Sequence, residues 1–180
     1  MRHGQAISNV KDVVSSWPEK IYNPLTKNGR QIVAESAKTL KDKNIDFIFC
    51  SPLLRTKQTA EIVGKILKLK PRADKRLREV GFGVFSGQSS RKMWESFKGE
   101  EERVKKGPPK GESYQQILKR MYDLLKNVDK KYKGKSILII SHEGPLFLLE
   151  GKVNGLSIHE TIKKFPLEKR IHKAQIKELN

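Results

Sequence analysis

The clearest periodic signal in the chain lies between Glu112 and Tyr132, where Ile117, Leu118, Met121, Leu124, Leu125 and Val128 recur at helical intervals. That spacing gathers them on one face of an amphipathic helix. A second stripe, Ile32, Val33, Ala37 and Leu40, follows the potential N-cap Thr26 and predicts a helix from there to about Lys43. A third, Ala60, Val63, Ile66 and Leu67, predicts a helix over about Arg55 to Leu69, stopped by Pro71. Ile45 to Cys50 reads as a strand ending at Ser51-Pro52, and Ser136 to Ser141 holds a continuous apolar run, Ile137 to Ile140, of the kind buried in a parallel sheet. Pro145 suits the first turn of a helix reaching about Val153. Weaker patterns predict a short strand at Arg72-Ala73, a helix near Ile158 to Lys164 and a last strand from Ala174 to Leu179.

Strands alternating with helices argue for an α/β fold, a three-layer sandwich with a mostly parallel central sheet and helices on both faces. Length and hydrophobic content (180 residues, 36%) fit one domain over residues 1–180, with a small charged insertion at about 88–110 that carries Met93, Trp94 and Phe97. Residues 5–25 have no period and contain Trp17-Pro18 and Asn23-Pro24, so they read as loop, with Trp17 and Tyr22 candidates for lining a pocket. The glycine-punctuated stretch from Leu77 to Gly87 reads as a loop that approaches a ligand closely, with one carboxylate at Glu79.

Composition changes this picture only in places. A net charge of +18 favours anionic partners, from phosphorylated metabolites to nucleic acid. The lysines are spread over nearly every segment, so charge alone selects none of these. With Cys50 as the single cysteine, neither a disulfide framework nor a cysteine zinc cluster can form, and a reducing, cytoplasmic setting is expected. The apolar runs are far shorter than a membrane span, and the basic start is not followed by a signal-peptide h-region.

In open α/β sheets, ligands bind beyond the carboxyl ends of the strands. His142 directly follows one predicted strand, Arg55 lies a turn beyond another, and Arg2-His3 would join them if a strand preceded it. With Glu79 these make two histidines, two arginines and one carboxylate, a set suited to phosphoryl transfer: imidazole as nucleophile, guanidinium as bidentate phosphate ligand, carboxyl as proton donor.

Arg2-His3-Gly4 with Asn9, Ser51-Pro52-Leu53-Leu54-Arg55-Thr56, Glu79 ahead of Gly83 and Gly87, Gly111-Glu112-Ser113, and Ser141-His142-Glu143-Gly144 resemble, in order, the motifs of the histidine phosphatase superfamily, the phosphoglycerate mutase-like clan. Pro24-Leu25-Thr26 with Gly29 is similar to that family's entry into its first helix. The resemblance implies that His3 takes the phosphoryl group and that Arg2, Arg55 and His142 hold its oxygens. It also implies that Asn9 and Gly144 belong to the phosphate site, and that Glu79 protonates the leaving oxygen and then activates water. No metal or cofactor is implied. A small phosphomonoester is the expected substrate and hydrolysis the expected reaction, with mutase-type transfer the alternative. Lys92, Trp94, Phe97 and Lys98 are candidates for substrate selection.

Two positions depart from the family pattern. Glu143 stands where a small residue is usual, and is expected to point away from the site. The family has an apolar strand directly before its Arg-His-Gly motif where this sequence has Met1, so upstream residues are expected to be missing, with Met1 the last residue of that strand.

Two other readings compete. Cys50 through Arg55 resembles the cysteine phosphatase loop, but is one residue short and lacks anion-nest glycines, so Cys50 reads as the buried end of a strand. A non-catalytic binder of nucleic acid would use the basic segment of Lys163, Lys164, Lys169, Arg170 and Lys173, which carries no aromatic platform and no recognised nucleic-acid motif.

Overall fold

The computed structural model of the chain describes residues 1–179. Its centre is a parallel sheet of β1 (Phe47–Cys50), β2 (Arg72–Ala73) and β3 (Ile137–Ile140), ordered β2-β1-β3. β1 and β3 pair in full register, from Phe47 opposite Ile137 to Cys50 opposite Ile140. The start of the chain lies along the other side of β3. The Ser141 N–H donates to the Met1 carbonyl and the His3 N–H to the Ser141 carbonyl, both at 3.1 Å. From the far side, the Ala174 N–H donates to the His3 carbonyl. His3 is thereby fixed at the carboxyl end of the sheet by backbone bonds on both flanks.

Successive strand residues point to opposite faces, and the core divides accordingly. Ile48, Cys50, Leu138 and Ile140 pack with Val33 and Ala37 of α2 (Lys27–Lys38) and Ala60 and Val63 of α3 (Leu54–Leu67). Phe47, Phe49, Ile137 and Ile139 pack on the opposite side against α5 (Tyr114–Lys131) and α6 (Glu143–Val153), with Ile158 and Ile162 of α7 (Ile158–Lys164) behind them. The expected α/β sandwich with helices on both faces is therefore present. Thr26 does cap α2, its Oγ1 accepting from the Gly29 N–H at 2.9 Å. Ser113 and Gln116 form a reciprocal capping box at the start of α5.

Several elements differ from the sequence expectation for identifiable reasons. α2 stops at Lys38, because Lys41, Asp42 and Lys43 are exposed and form a separate turn closed by Asn44 at φ 47°. Ile32 stands partly in solvent, off the buried stripe. α3 ends at Leu67, where Lys68 turns left-handed at φ 56° and its N–H donates to Gly64. Ala174 to Leu179 is not a strand: Ala174 is left-handed at φ 60°, which takes the chain out of extended geometry. Within residues 5–25 stands a short helix, α1 (Ile7–Val10), anchored by the Asn23 side chain, which bonds both the Ser8 N–H and its hydroxyl. In the 88–110 region, α4 (Ser90–Glu95) is followed by a tight helical turn over Glu100–Val104.

Ile48 is fully buried at the sheet centre whereas Ile32 is 39% exposed on α2. Replacing Ile48 with Ala should cost about 2–5 kcal/mol in urea unfolding, and Ile32→Ala less than about 1 kcal/mol. Equal losses would contradict this assignment of the core.

Candidate active site

The sheet's carboxyl end supplies the site because each connection there is short and hydrogen-bonded. β1 runs into Ser51-Pro52 and then directly into α3, so Arg55 stands in that helix's first turn. β3 runs through Ser141 into His142, the residue directly before α6. The loop bearing Glu79 is tied down from several directions. The Ser141 hydroxyl donates to the Leu77 carbonyl at 2.8 Å, and the Ser16 hydroxyl and Arg120 Nη2 both donate to the Glu79 carbonyl at 3.1 Å. Arg120 also pairs with Glu112, whose Oε2 accepts the Gly81 N–H.

These connections bring Arg2, His3, Arg55, Glu79 and His142 together. His3 is buried, and its Nδ1 lies 2.7 Å from the Gly4 carbonyl, an oxygen that can only accept. The proton must therefore sit on Nδ1 and the lone pair on Nε2, and the Arg55 Nε–H donates to that Nε2 at 3.1 Å. A second donor of Arg55, Nη2, is held by the Ser15 carbonyl at 2.9 Å and stands 3.8 Å from Glu79 Oε2. The ring centroids of His3 and His142 are 5.1 Å apart in an edge-to-face arrangement. His142 Nε2 meets the Ser51 hydroxyl at 2.9 Å, while its Nδ1 has no partner and lies 3.7 Å from Glu79 Oε2.

Burial, reinforced by the guanidinium of Arg55, drives both histidines well below their usual range, so each is neutral at physiological pH. Glu79 moves the other way. Desolvation raises it above the ordinary carboxylate value, outweighing Arg55 and the Val80 N–H, and the nearby charge of Glu143 adds to the rise. A neutral imidazole, its Nε2 lone pair met only by the Arg55 N–H, therefore lies near a carboxyl group biased toward its protonated form, between fixed cations. Such an arrangement can accept an anion, attack it and protonate what leaves.

The accompanying cavity, about 320 Å³, is lined by Arg2, His3, Asn9, Arg55, Glu79 and Gly144 among others. Asn9 lines it, but its Oδ1 accepts the Ala6 N–H and so caps α1. At Gly144, α6 passes close to the Glu79 loop, and a Cβ there would stand 2.7 Å from Val80 Cγ2. Glu143 does not point away: it lines the cavity and forms an ion pair with Arg2, supplying part of that cation's counter-charge. Trp17 and Tyr22 are exposed and line no part of the cavity. Of the selection candidates, Trp94 lines it, Phe97 packs over Arg103, and Lys92 and Lys98 stand in solvent.

His3, Glu79 and His142 could in geometric terms offer a metal three ligand atoms within 4.8 Å of one another. The charge around them opposes a cation, since Arg55 already donates to His3 Nε2 and Arg2 adds a second positive field. Cys50 is no rival nucleophile: it is 3% exposed on the α2/α3 side of the sheet, and burial pushes its thiol up to about 11. Sequence reasoning missed Ser51 as the partner of His142, Arg120 as the clamp on the Glu79 loop, and Arg103 in the cavity wall. It also missed Glu19, which accepts the Leu54 N–H and lies 3.8 Å from Arg55. Ser51 and Glu112 at least fell inside quoted motifs; Glu19, Arg103 and Arg120 carried no signal among so many charged residues.

The fold and site define an α/β protein with a cavity lined by Arg2, His3, Arg55 and Glu79 at the carboxyl end of a parallel sheet, with His142 buried beside it. The chain belongs to the histidine phosphatase superfamily (branch 1), whose family model matches residues 1–175. It is 31% identical over 168 residues to a probable phosphoglycerate mutase, GpmB, of Photorhabdus laumondii, covering 88% of this chain and 75% of the relative. It is 28% identical over 159 residues to an uncharacterized phosphatase, PhoE, of Bacillus subtilis, covering 86% and 76%. The fold superimposes on mycobacterial glucosyl-3-phosphoglycerate phosphatase in complex with VO3 with a TM-score of 0.83 at 22% identity, covering 96% of this chain and 87% of that one. Among the described residues, no helix is long and apolar enough to cross a membrane.

Two neutral buried histidines carry a cost in acid. Below about pH 6.5 the unfolded chain binds protons that folded His3 and His142 refuse, so stability rises with pH through that window and falls on acidification. Glu79 has the opposite sign, because its raised value means that stability is lost as pH rises through it. Substituting His142 with Gln should therefore flatten the dependence of the urea midpoint on pH between about pH 5 and 6.5; an unchanged slope would mean that His142 takes up its proton in the fold.

Proposed function

We propose that the protein is a metal-independent phosphatase that hydrolyses a small phosphomonoester through a phosphohistidine. The observation that carries this reading is the fixed tautomer of His3, its Nδ1 proton held by Gly4 and its Nε2 lone pair in contact with Arg55, the side chain suited to hold the phosphoryl oxygens. In the first step the Nε2 lone pair attacks phosphorus and the bond from phosphorus to the leaving oxygen breaks. Protonated Glu79 gives its proton to that oxygen, releasing the alcohol. Arg2, Arg55 and His142 stabilise the charge on the equatorial oxygens, and the Gly4 carbonyl stabilises the positive imidazole through Nδ1–H. In the second step, Glu79 as carboxylate takes a proton from water as the water oxygen attacks phosphorus. The phosphorus–nitrogen bond breaks, the electron pair returns to Nε2 and inorganic phosphate leaves. Asn9 and Gly144 complete the phosphate end of the cavity, the former by ordering α1 and the latter by admitting Val80 of the Glu79 loop.

The alternative is transfer of the phosphoryl group to another hydroxyl of the substrate, favoured by relatives named as probable phosphoglycerate mutases. A polyanion-binding role finds less support, because Arg170 in the basic C-terminal segment is buried and pairs with Glu100.

The test is release of inorganic phosphate from p-nitrophenyl phosphate and from alkyl phosphates, with and without EDTA. Wild-type turnover should persist in EDTA, and His3→Ala should lower it by on the order of 10⁴-fold. Cys50→Ser should leave it unchanged. Loss of turnover in EDTA, or in Cys50→Ser, would refute this mechanism, and isomerisation without phosphate release would select the mutase.

The pH profile gives an independent check. Neutral His3 and protonated Glu79 are required together, so kcat/KM should fall as pH rises through the raised value of Glu79. Glu79→Gln should abolish that alkaline limb and slow alkyl phosphates by about 10²–10⁴-fold, with a smaller loss for p-nitrophenyl phosphate, whose leaving group needs no proton.

A further inference from the structure

One carboxylate in the cavity wall has no part in the chemistry above. Glu143 is the first residue of α6, and its side chain lines the same cavity as His3 while forming an ion pair with Arg2 Nη1. Two attractions hold a negative charge there, the guanidinium and the positive end of an eleven-residue helix. Arg2 is also one of the cations proposed to hold the phosphoryl oxygens, so the carboxylate already stands where an incoming anion draws its attraction.

Arg2 has little else to offer such an anion. Its Nη1 is held by the Ile171 carbonyl at 3.0 Å as well, and its Nε is buried. Two further cations of the wall are matched in the same way. Arg55 lies 3.8 Å from Glu19 and from Glu79, and Arg170 binds Glu100 at 2.7 Å. Glu143 cannot retreat with its backbone, because Gly144 beside it abuts the Glu79 loop and the Leu146 N–H donates to the His142 carbonyl at 3.1 Å. An anion gains Arg2 only by turning the Glu143 side chain aside or by standing against its repulsion.

We propose that Glu143 is an internal rival of the phosphate group for Arg2, a specificity residue that makes phosphate by itself a weak ligand and so hastens its departure as product. The inference rests on the phosphatase reading for that consequence, whereas the rivalry is an equilibrium property of the cavity. It also narrows the substrate class. Ester and inorganic phosphate meet the same carboxylate, so the remainder of a good substrate must supply binding that the phosphate group does not.

The experiment is titration calorimetry of inorganic phosphate into wild type, Glu143→Gln and Glu143→Asp, which requires no turnover. Gln keeps the size of Glu and can still accept from Arg2, so this change removes charge and little else. Phosphate should bind Glu143→Gln about tenfold or more tighter than wild type, and Glu143→Asp, which keeps the charge, within about threefold of wild type. The gain should shrink in raised salt. In kinetics, KM for p-nitrophenyl phosphate and the inhibition constant of phosphate should fall together in Glu143→Gln. Phosphate affinity that is unchanged or weaker in Glu143→Gln overturns the inference, since Glu143 would then be orienting Arg2 for the anion. An equal gain in Glu143→Asp overturns it too. The wild type tests it without any variant: a Kd of about 1 mM or weaker is expected, and one of about 1 μM overturns it. Tightened binding in Glu143→Gln with no phosphate released from any ester would refute the phosphatase reading and leave the rivalry standing.

Discussion

The contact on which the site depends is the one between the Arg55 Nε–H and His3 Nε2. A guanidinium is permanently charged, so the imidazole beside it is pressed to remain neutral, and burial presses in the same direction. The Gly4 carbonyl on the opposite side of the ring leaves one tautomer and one lone pair. Everything around this pair serves to hold it: backbone bonds from Ser141 and Ala174 flank His3, and the Ser15 carbonyl fixes the other end of Arg55. The donors are thus held in fixed orientations, the condition under which the proposed phosphoryl transfer would gain from electrostatic preorganisation.

Such a site opposes folding, since it buries cations and a carboxyl group in a place without enough partners. Idle atoms are concentrated here, at Arg2 Nε, Arg55 Nη1 and His142 Nδ1, with Arg103 beyond them. The stabilising counterweight lies elsewhere, in the two apolar faces of the sheet, where Ile48, Ile140, Ile117, Met121 and Leu124 are wholly buried. This division is a physical reason for the site to stand at the strand ends. There, backbone groups leaving the ladder can bond side chains without interrupting the core.

Glu143 is instructive about charge. A carboxylate next to His142 looks adverse to phosphate when considered alone, yet in the fold it pairs with Arg2 and raises Glu79. Its negative charge keeps Arg2 from standing uncompensated, and it favours the proton that Glu79 would donate. Whether a charge helps or opposes an anion site depends on which cation it faces, and neighbours in sequence do not determine that.

The sequence by itself determined the sandwich and most of the site's membership. Period-2 and helical stripes are set by burial on one face or two, and Ile45 to Cys50, Ser136 to Ser141 and Glu112 to Tyr132 follow that rule without help from distant residues. His142 and Arg55 were legible for a related reason, because polar residues just beyond a parallel strand stand at its carboxyl end wherever the strand lies. Tertiary structure alone decided the rest. The helix Ile7–Val10 depends on a contact remote in sequence, Asn23 with Ser8, and the left-handed Ala174 on the His3 carbonyl that accepts its N–H. The Arg55 partner of His3, the Ser51 partner of His142 and the Arg120 clamp are likewise pairings across tens of residues. A hydrogen bond is decided by distances of a few tenths of an ångström, and periodicity carries no information at that scale.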